Sequence, residues 1–199
     1  MKNVVIYIHG KYGTAKEAEY YKKFFNEADI IGFEYTSEYP WGFQKEFLIF
    51  VENIYKKYKK ISIIANSIGA YFTMLSLTNK NIEKAFFISP IVDMEKLITD
   101  MMFLENITEK ELYKKKEIKT SFGETLSWDY LTFVRKNPIE WNVPTYILYG
   151  EKDNFTSYET ILNFTNKTKA NLTIMKGGEH WFHTDEQMEF LDNWIKNLV

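Results

Sequence analysis

Ile61-Ser62-Ile63-Ile64-Ala65-Asn66-Ser67-Ile68-Gly69-Ala70 passes from an apolar, strand-like run into the start of a helix-like run through a single serine. Small residues stand two positions to either side of that serine, Ala65 before it and Gly69 after it. A sharp strand-to-helix turn demands this spacing. The serine backbone is strained there, the strand and helix press close, and larger side chains at the flanking positions would clash. Such a turn is a nucleophile elbow, with Ala65 standing where the pattern usually has its first glycine.

Outward from the elbow, apolar runs of strand length alternate with amphipathic segments of helix length. Val4–Ile8 reads as the first strand, 30–35 as the second, 61–65 as the third, Lys84–Ile88 as the fourth, 145–149 as the fifth and 172–175 as the sixth. Thr14 is expected to cap a helix reaching about Ala28, with Glu17 three residues on as its capping-box partner. Pro40 opens a long helix whose apolar stripe includes Phe43, Phe47, Phe50, Val51 and Ile54. The last helix runs from about Asp185 to Leu198. Apolar runs without alternation suit strands buried on both faces of a parallel sheet, and strand–helix alternation puts helices on both faces. The expectation is a three-layer α/β/α sandwich around a mostly parallel sheet.

One segment breaks the rhythm. Between Asp93 and Trp141 no strand is evident. Met94–Leu104, 109–116 and 126–136 read as three short helices, with Ser121-Phe122-Gly123 as a turn. The chain is therefore expected to be a single domain over 1–199 with a helical insertion at about 93–141. The insertion emerges at the C-terminal edge of the sheet, where open α/β sheets bind ligands, and an insertion there is expected to act as a lid. It is rich in Met94, Met101, Met102, Phe103, Leu104, Trp128, Tyr130 and Phe133, most of which are expected to pack the insertion onto the body.

Composition narrows the functional classes. The 199 residues carry a net charge of -2, and 45% are hydrophobic, as in a globular chain. No basic block would hold a nucleic-acid backbone. Arg135 is the sole arginine, which counts against bidentate phosphate or carboxylate clamps. The chain has no cysteine, so disulfides, thiolate nucleophiles and cysteine metal sites are excluded. Met1-Lys2-Asn3 leads straight into a strand, no signal-peptide core is seen, and no apolar run approaches the roughly 18 residues of a membrane span. A cytoplasmic protein without membrane partners is expected. The Asn-X-Thr triplets at Asn106, Asn154, Asn163, Asn166 and Asn171 then read as accidents of composition.

Three further loops leave the same sheet edge as the elbow. His9-Gly10-Lys11-Tyr12-Gly13 follows the first strand, Gly150-Glu151-Lys152-Asp153 the fifth and Gly177-Gly178-Glu179-His180 the sixth. The chain order is serine, acid, histidine, each after a strand end. Over essentially its whole length the chain resembles the α/β-hydrolase fold family. The elbow matches the family's Gly-x-Ser-x-Gly turn with one substitution, and His9-Gly10 matches its oxyanion loop. Asp153 and His180 fall where the family's acid and histidine follow the last two strands. The resemblance implies a reduced, six-stranded sheet of order 2-1-3-4-5-6. It also implies a catalytic triad of Ser67, His180 and Asp153, with an oxyanion hole formed by the backbone N–H groups of Ile68 and Lys11.

Competing residues stand close by. Glu151 and Asp93 are rival acids, Asp93 because it also follows a strand. His183 is the rival histidine, three residues beyond His180 at the start of the final helix, where a surface or capping role suits it. His9 is expected to tie down the oxyanion loop. A metal site from three histidines and a carboxylate lacks any His-Glu-x-x-His run, and phosphate-loop and dinucleotide fingerprints are absent. No cofactor or metal is expected. The resemblance implies a serine hydrolase cleaving a small ester through an acyl-enzyme on Ser67, in the manner of a carboxylesterase. Thioesterase or other acyl-hydrolase chemistry on the same triad stays open, as does a non-catalytic module that captures a small ligand. The expected partner is a small-molecule ester or thioester, with the protein a monomer or homodimer.

Overall fold

A computed structural model describes residues 2–199. The strands are β1 (Asn3–Ile8), β2 (Ala28–Phe33), β3 (Lys60–Asn66), β4 (Lys84–Ile88), β5 (Glu117–Lys119), β6 (Thr125–Ser127), β7 (Thr145–Gly150) and β8 (Asn171–Met175). The α-helices are α1 (Ala18–Tyr21), α2 (Pro40–Tyr55), α3 (Ile68–Ser76), α4 (Met94–Leu104), α5 (Glu109–Lys115), α6 (Trp128–Lys136), α7 (Tyr158–Thr168) and α8 (Asp185–Lys196).

Six strands form one sheet in the order β2-β1-β3-β4-β7-β8, every neighbouring pair parallel. Counted along the main sheet alone, this is the expected 2-1-3-4-5-6. The central strands are buried because helices cover both faces. Val4 to Ile8 and Ile63 to Ala65 are at most 2% exposed. On one face Tyr7, Ile64 and Phe86 join Tyr21, Phe24 and Trp194 in a single apolar cluster. On the other, the stripe of α2 interlocks with the elbow helix, with the Phe43 and Phe72 rings 4.9 Å apart and those of Phe33 and Phe47 also 4.9 Å apart. Phe47 is fully buried, and truncating such a side chain to alanine costs about 3–5 kcal/mol.

The expected helix from Thr14 to Ala28 is much shorter. α1 has only four residues and is flanked by 3-10 turns at Ala15–Glu17 and Lys22–Phe24. Its buried residues Ala18, Tyr21 and Phe24 recur every three positions, the period of a 3-10 helix rather than an α-helix. The chain must also leave the helix early, because Ala28 already pairs with Asn3.

The chain divides into two compact units, one formed by the chain up to Val92 with Glu140–Val199 and the other by Asp93–Ile139. The second holds α4, α5 and α6, as expected, and also a short antiparallel hairpin of β5 and β6 that was not foreseen. Three-residue strands are too short to show a period in sequence. Ser121-Phe122-Gly123 is the turn of that hairpin, with Gly123 at φ +89° and the Thr120 N–H donating to the Glu124 carbonyl at 2.7 Å. Arg135 on α6 ties the helices together, with bonds of 2.7 Å to Glu95 on α4 and of 2.7 and 2.9 Å to Glu109 on α5. Among the described residues no helix is long and apolar enough to cross a membrane.

Candidate active site

Parallel pairing brings the C-terminal ends of β1, β3, β7 and β8 to one edge, and the loops that leave them carry the site. β3 runs into α3 through Ser67, whose backbone sits at φ 50°, ψ -123°. A non-glycine residue held there is strained by about 1–3 kcal/mol, and the surroundings must impose the conformation. They do so from both sides. The Ser67 N–H donates to the Ile88 carbonyl at 3.0 Å, and the Ser67 carbonyl accepts from Ala70 and Ile91, both at 3.1 Å. Gly69 lets α3 close onto β1, since a Cβ there would lie 2.4 Å from the His9 carbonyl oxygen.

The acid and histidine loops are stitched to each other before either meets the serine. Glu151 N–H donates to the Met175 carbonyl at 3.0 Å and Lys152 N–H to the Gly178 carbonyl at 2.7 Å. Gly150 permits this approach, because a Cβ on it would meet the Glu179 carbonyl oxygen at 2.4 Å. The Asp153 side chain is then fully buried, with Oδ1 accepting from the Phe155 and Thr156 amides at 2.8 and 3.0 Å. Its other oxygen lies 2.7 Å from His180 Nδ1. His180 Nε2 lies 2.8 Å from Ser67 Oγ.

These contacts set the proton inventory. A carboxylate only accepts, so Nδ1 carries the ring proton and Nε2 is left with a lone pair facing the serine hydroxyl. The three expected residues thus form one hydrogen-bonded line, from Ser67 through His180 to the Asp153 carboxylate. The rivals are occupied elsewhere. Glu151 accepts from the Gly177 amide at 2.8 Å, and Asp93 caps α4 by accepting from the Lys96 amide at 2.9 Å. His183 is exposed, with Nδ1 2.7 Å from the Trp181 carbonyl, and Thr184 rather than His183 caps α8.

His9-Gly10 lies against the elbow, as a Cβ on Gly10 would stand 3.2 Å from Ser67 Cβ. His9 is buried and held by several contacts. Its ring stacks on Tyr35 with centroids 4.1 Å apart, and its Nδ1 donates to the Gly10 carbonyl at 2.8 Å. Tyr35 Oη in turn donates to the His9 carbonyl at 2.8 Å. Ile68 opens α3, where amides have no acceptor within the helix.

Sequence reasoning missed several neighbours of this line. The Phe155 ring sits 4.7 Å from the His180 ring. Behind the elbow, Asn66 Nδ2 donates to Tyr7 Oη at 2.9 Å, and Tyr7 Oη donates to Glu17. Glu17, the expected capping partner of Thr14, accepts from the Thr14 amide at 2.9 Å. Its second oxygen meets Tyr7 of β1, which no local pattern signals.

The sequence matches no protein-family model. It also matches no curated protein sequence. Solved structures are similar across nearly the whole chain. Est1E from Butyrivibrio proteoclasticus superposes with a TM-score of 0.78 at 18% identity, covering 99% of this chain and 86% of that one. Mouse alpha/beta hydrolase domain-containing protein 10 gives a TM-score of 0.77 at 15% identity, covering 98% and 90%. A lipase-esterase related protein from Clostridium acetobutylicum gives 0.68 at 17% identity, covering 99% and 94%. Together with the all-parallel sheet and the serine turn after its third strand, this likeness means that the chain has the α/β-hydrolase fold.

Proposed function

We propose that the protein is a serine hydrolase that cleaves a carboxylic ester through an acyl-enzyme on Ser67. The observation that carries this reading is the unbroken line from Ser67 Oγ to His180 Nε2 at 2.8 Å and from His180 Nδ1 to Asp153 at 2.7 Å. A neutral serine is a weak nucleophile and needs an adjacent base. His180 takes the hydroxyl proton as Ser67 attacks the ester carbonyl, then gives it to the departing alcohol. Asp153 holds the imidazole in the required tautomer and stabilises the imidazolium. Water repeats the sequence on the acyl-enzyme and releases the acid. The amides of Ile68 and Lys11 donate to the tetrahedral oxyanion, and loss of one such donor raises a barrier by roughly 3 kcal/mol.

The substrate is an ester with an apolar or aromatic acyl group. Tyr12, Phe155 and Trp181 stand on the oxyanion, acid and histidine loops and are 87%, 44% and 73% exposed, an unusual outlay of aromatic surface beside polar chemistry. Est1E, among the similar structures, has been solved with ferulic acid bound, an aromatic acid.

Labelling with a fluorophosphonate probe, read by intact mass, tests the mechanism. One adduct on the wild type and none on Ser67→Ala is expected. No adduct on a folded wild type would overturn it and leave a non-catalytic ligand-binding module. A panel of p-nitrophenyl acetate, octanoate and cinnamate with a thioester then ranks the acyl groups, with the cinnamate expected to show a higher kcat/KM than the acetate.

A further inference from the structure

Hydrogen bonding between β1 and β3 holds their backbones together as far as the Ile8–Ala65 pair. Beyond it the two chains separate, one into the loop His9–Gly13 and the other into the elbow. An oxyanion hole drawn from both needs their amides aimed at one point, so something must fix one loop against the other after the sheet ends. A side-chain relay spans this gap. Asn66, the residue before Ser67, donates from Nδ2 to Tyr7 Oη at 2.9 Å. Tyr7 Oη donates to Glu17, and the other Glu17 oxygen accepts from the amide of Thr14 at 2.9 Å, immediately beyond the oxyanion loop.

Tyr7 is fully buried. Burial first, and the neighbouring Tyr21 and Glu17 after it, push its phenol far above the ordinary tyrosine value. The hydroxyl therefore remains a donor to Glu17 at every working pH, while its lone pair takes the Asn66 proton. A buried hydroxyl with both functions used is costly to disturb, because its removal strands two polar partners.

We propose that Tyr7, acting through Asn66 and Glu17, is a positioning residue that clamps the oxyanion loop against the nucleophile elbow. The proposal rests on the serine-hydrolase reading above. Tyr7 touches no reacting atom. Its effect is on where the amides of Lys11 and Ile68 stand relative to Ser67 Oγ, so it acts on the transition state and not on substrate affinity.

Tyr7→Phe keeps the ring and its packing and deletes only the hydroxyl. With p-nitrophenyl acetate, kcat is expected to fall by about ten- to a hundredfold with KM within twofold, in line with the effect of small misplacements of catalytic groups. The maximal rate of fluorophosphonate labelling should fall by the same factor. The pH dependence of kcat/KM should keep its midpoint, since the His180–Asp153 pair is untouched. Asn66→Ala breaks the relay from its other end and should reproduce the split, which keeps the test open should Tyr7→Phe fold poorly. Tyr58→Phe serves as control, because it removes a phenol that donates to Asp29 at 2.9 Å outside the relay, and should leave kcat unchanged. A folded Tyr7→Phe or Asn66→Ala protein with kcat within twofold of wild type, or with its loss entirely in KM, overturns the clamp. Failure of the wild type to label would instead sink the hydrolase reading itself.

Discussion

Ser67 holds a conformation that serine does not choose, at φ 50° and ψ -123°, and three hydrogen bonds at 3.0 to 3.1 Å enforce it. The two rival histidines lie differently about it. His180 lies within 2.8 Å of Ser67 Oγ, whereas His183 faces outward with its ring stacked on Trp181 at 4.4 Å. His180→Ala is expected to cut kcat by about 10⁴-fold or more. His183→Ala should change it less than about threefold, as surface substitutions generally do. Steady-state kinetics on both variants checks the assignment, and equal losses would reverse it. Ser67, Asp153 and His180 were expected from sequence because each follows a strand end where the resembling family places its triad, with Glu151, Asp93 and His183 as rivals. Asn66, Tyr7 and Glu17 were not, since their meeting depends on the pairing of β1 with β3 and on where the 3-10 turn Ala15–Glu17 lies beside them.

At the scale of elements, close approach is the controlling variable. α3 reaches β1 only because residue 69 lacks a side chain, and a methyl group there would sit 2.4 Å from a backbone oxygen. Gly69→Ala is expected to destabilise the protein by about 1–3 kcal/mol through overpacking, with urea denaturation as the measurement. The three helices of the second unit depend on a different device. Arg135 reaches Glu95 and Glu109, and holds the Glu109 carboxyl below its ordinary value through their hydrogen bonds. All three side chains are at least a third exposed, so the contribution is modest, about 1 kcal/mol or less. Arg135→Ala should speed amide exchange in α4, α5 and α6 and leave the strands of the main sheet as protected as before. Hydrogen-exchange mass spectrometry separates the two. That the only arginine of the chain would serve as an internal clip was not visible in sequence, because its two partners lie 40 and 26 residues away.

For the molecule as a whole, buried phenols set a stability limit in alkali. Burial, as the largest cause, raises the phenols of Tyr7, Tyr21 and Tyr35 above their ordinary values. In the unfolded chain these groups lose protons near pH 10, while the native state keeps them protonated. The native state then binds more protons than the unfolded one, so stability falls as pH rises past about 10 and is fully present below it. Denaturant midpoints at pH 8 and pH 10.5 should show this decline, with a smaller decline in Tyr7→Phe. Equal slopes in the two proteins would contradict the contribution of Tyr7.

The sequence by itself determined the layer architecture, and the family resemblance implied the strand order and the candidate triad. The architecture follows from signals local in the chain, unbroken apolar runs and a helical stripe on α2, and the resemblance rests on a serine, an acid and a histidine just past strand ends. Tertiary structure decided what depends on distance between elements. It placed the Asp153 carboxylate against His180 and the Glu151 carboxylate on the Gly177 amide. It turned the segment after Thr14 into a short α-helix between 3-10 turns, because Ala28 pairs with Asn3. It also joined Asn66 to Tyr7 across 59 residues of chain, a bond that forms only where two parallel strands lie side by side.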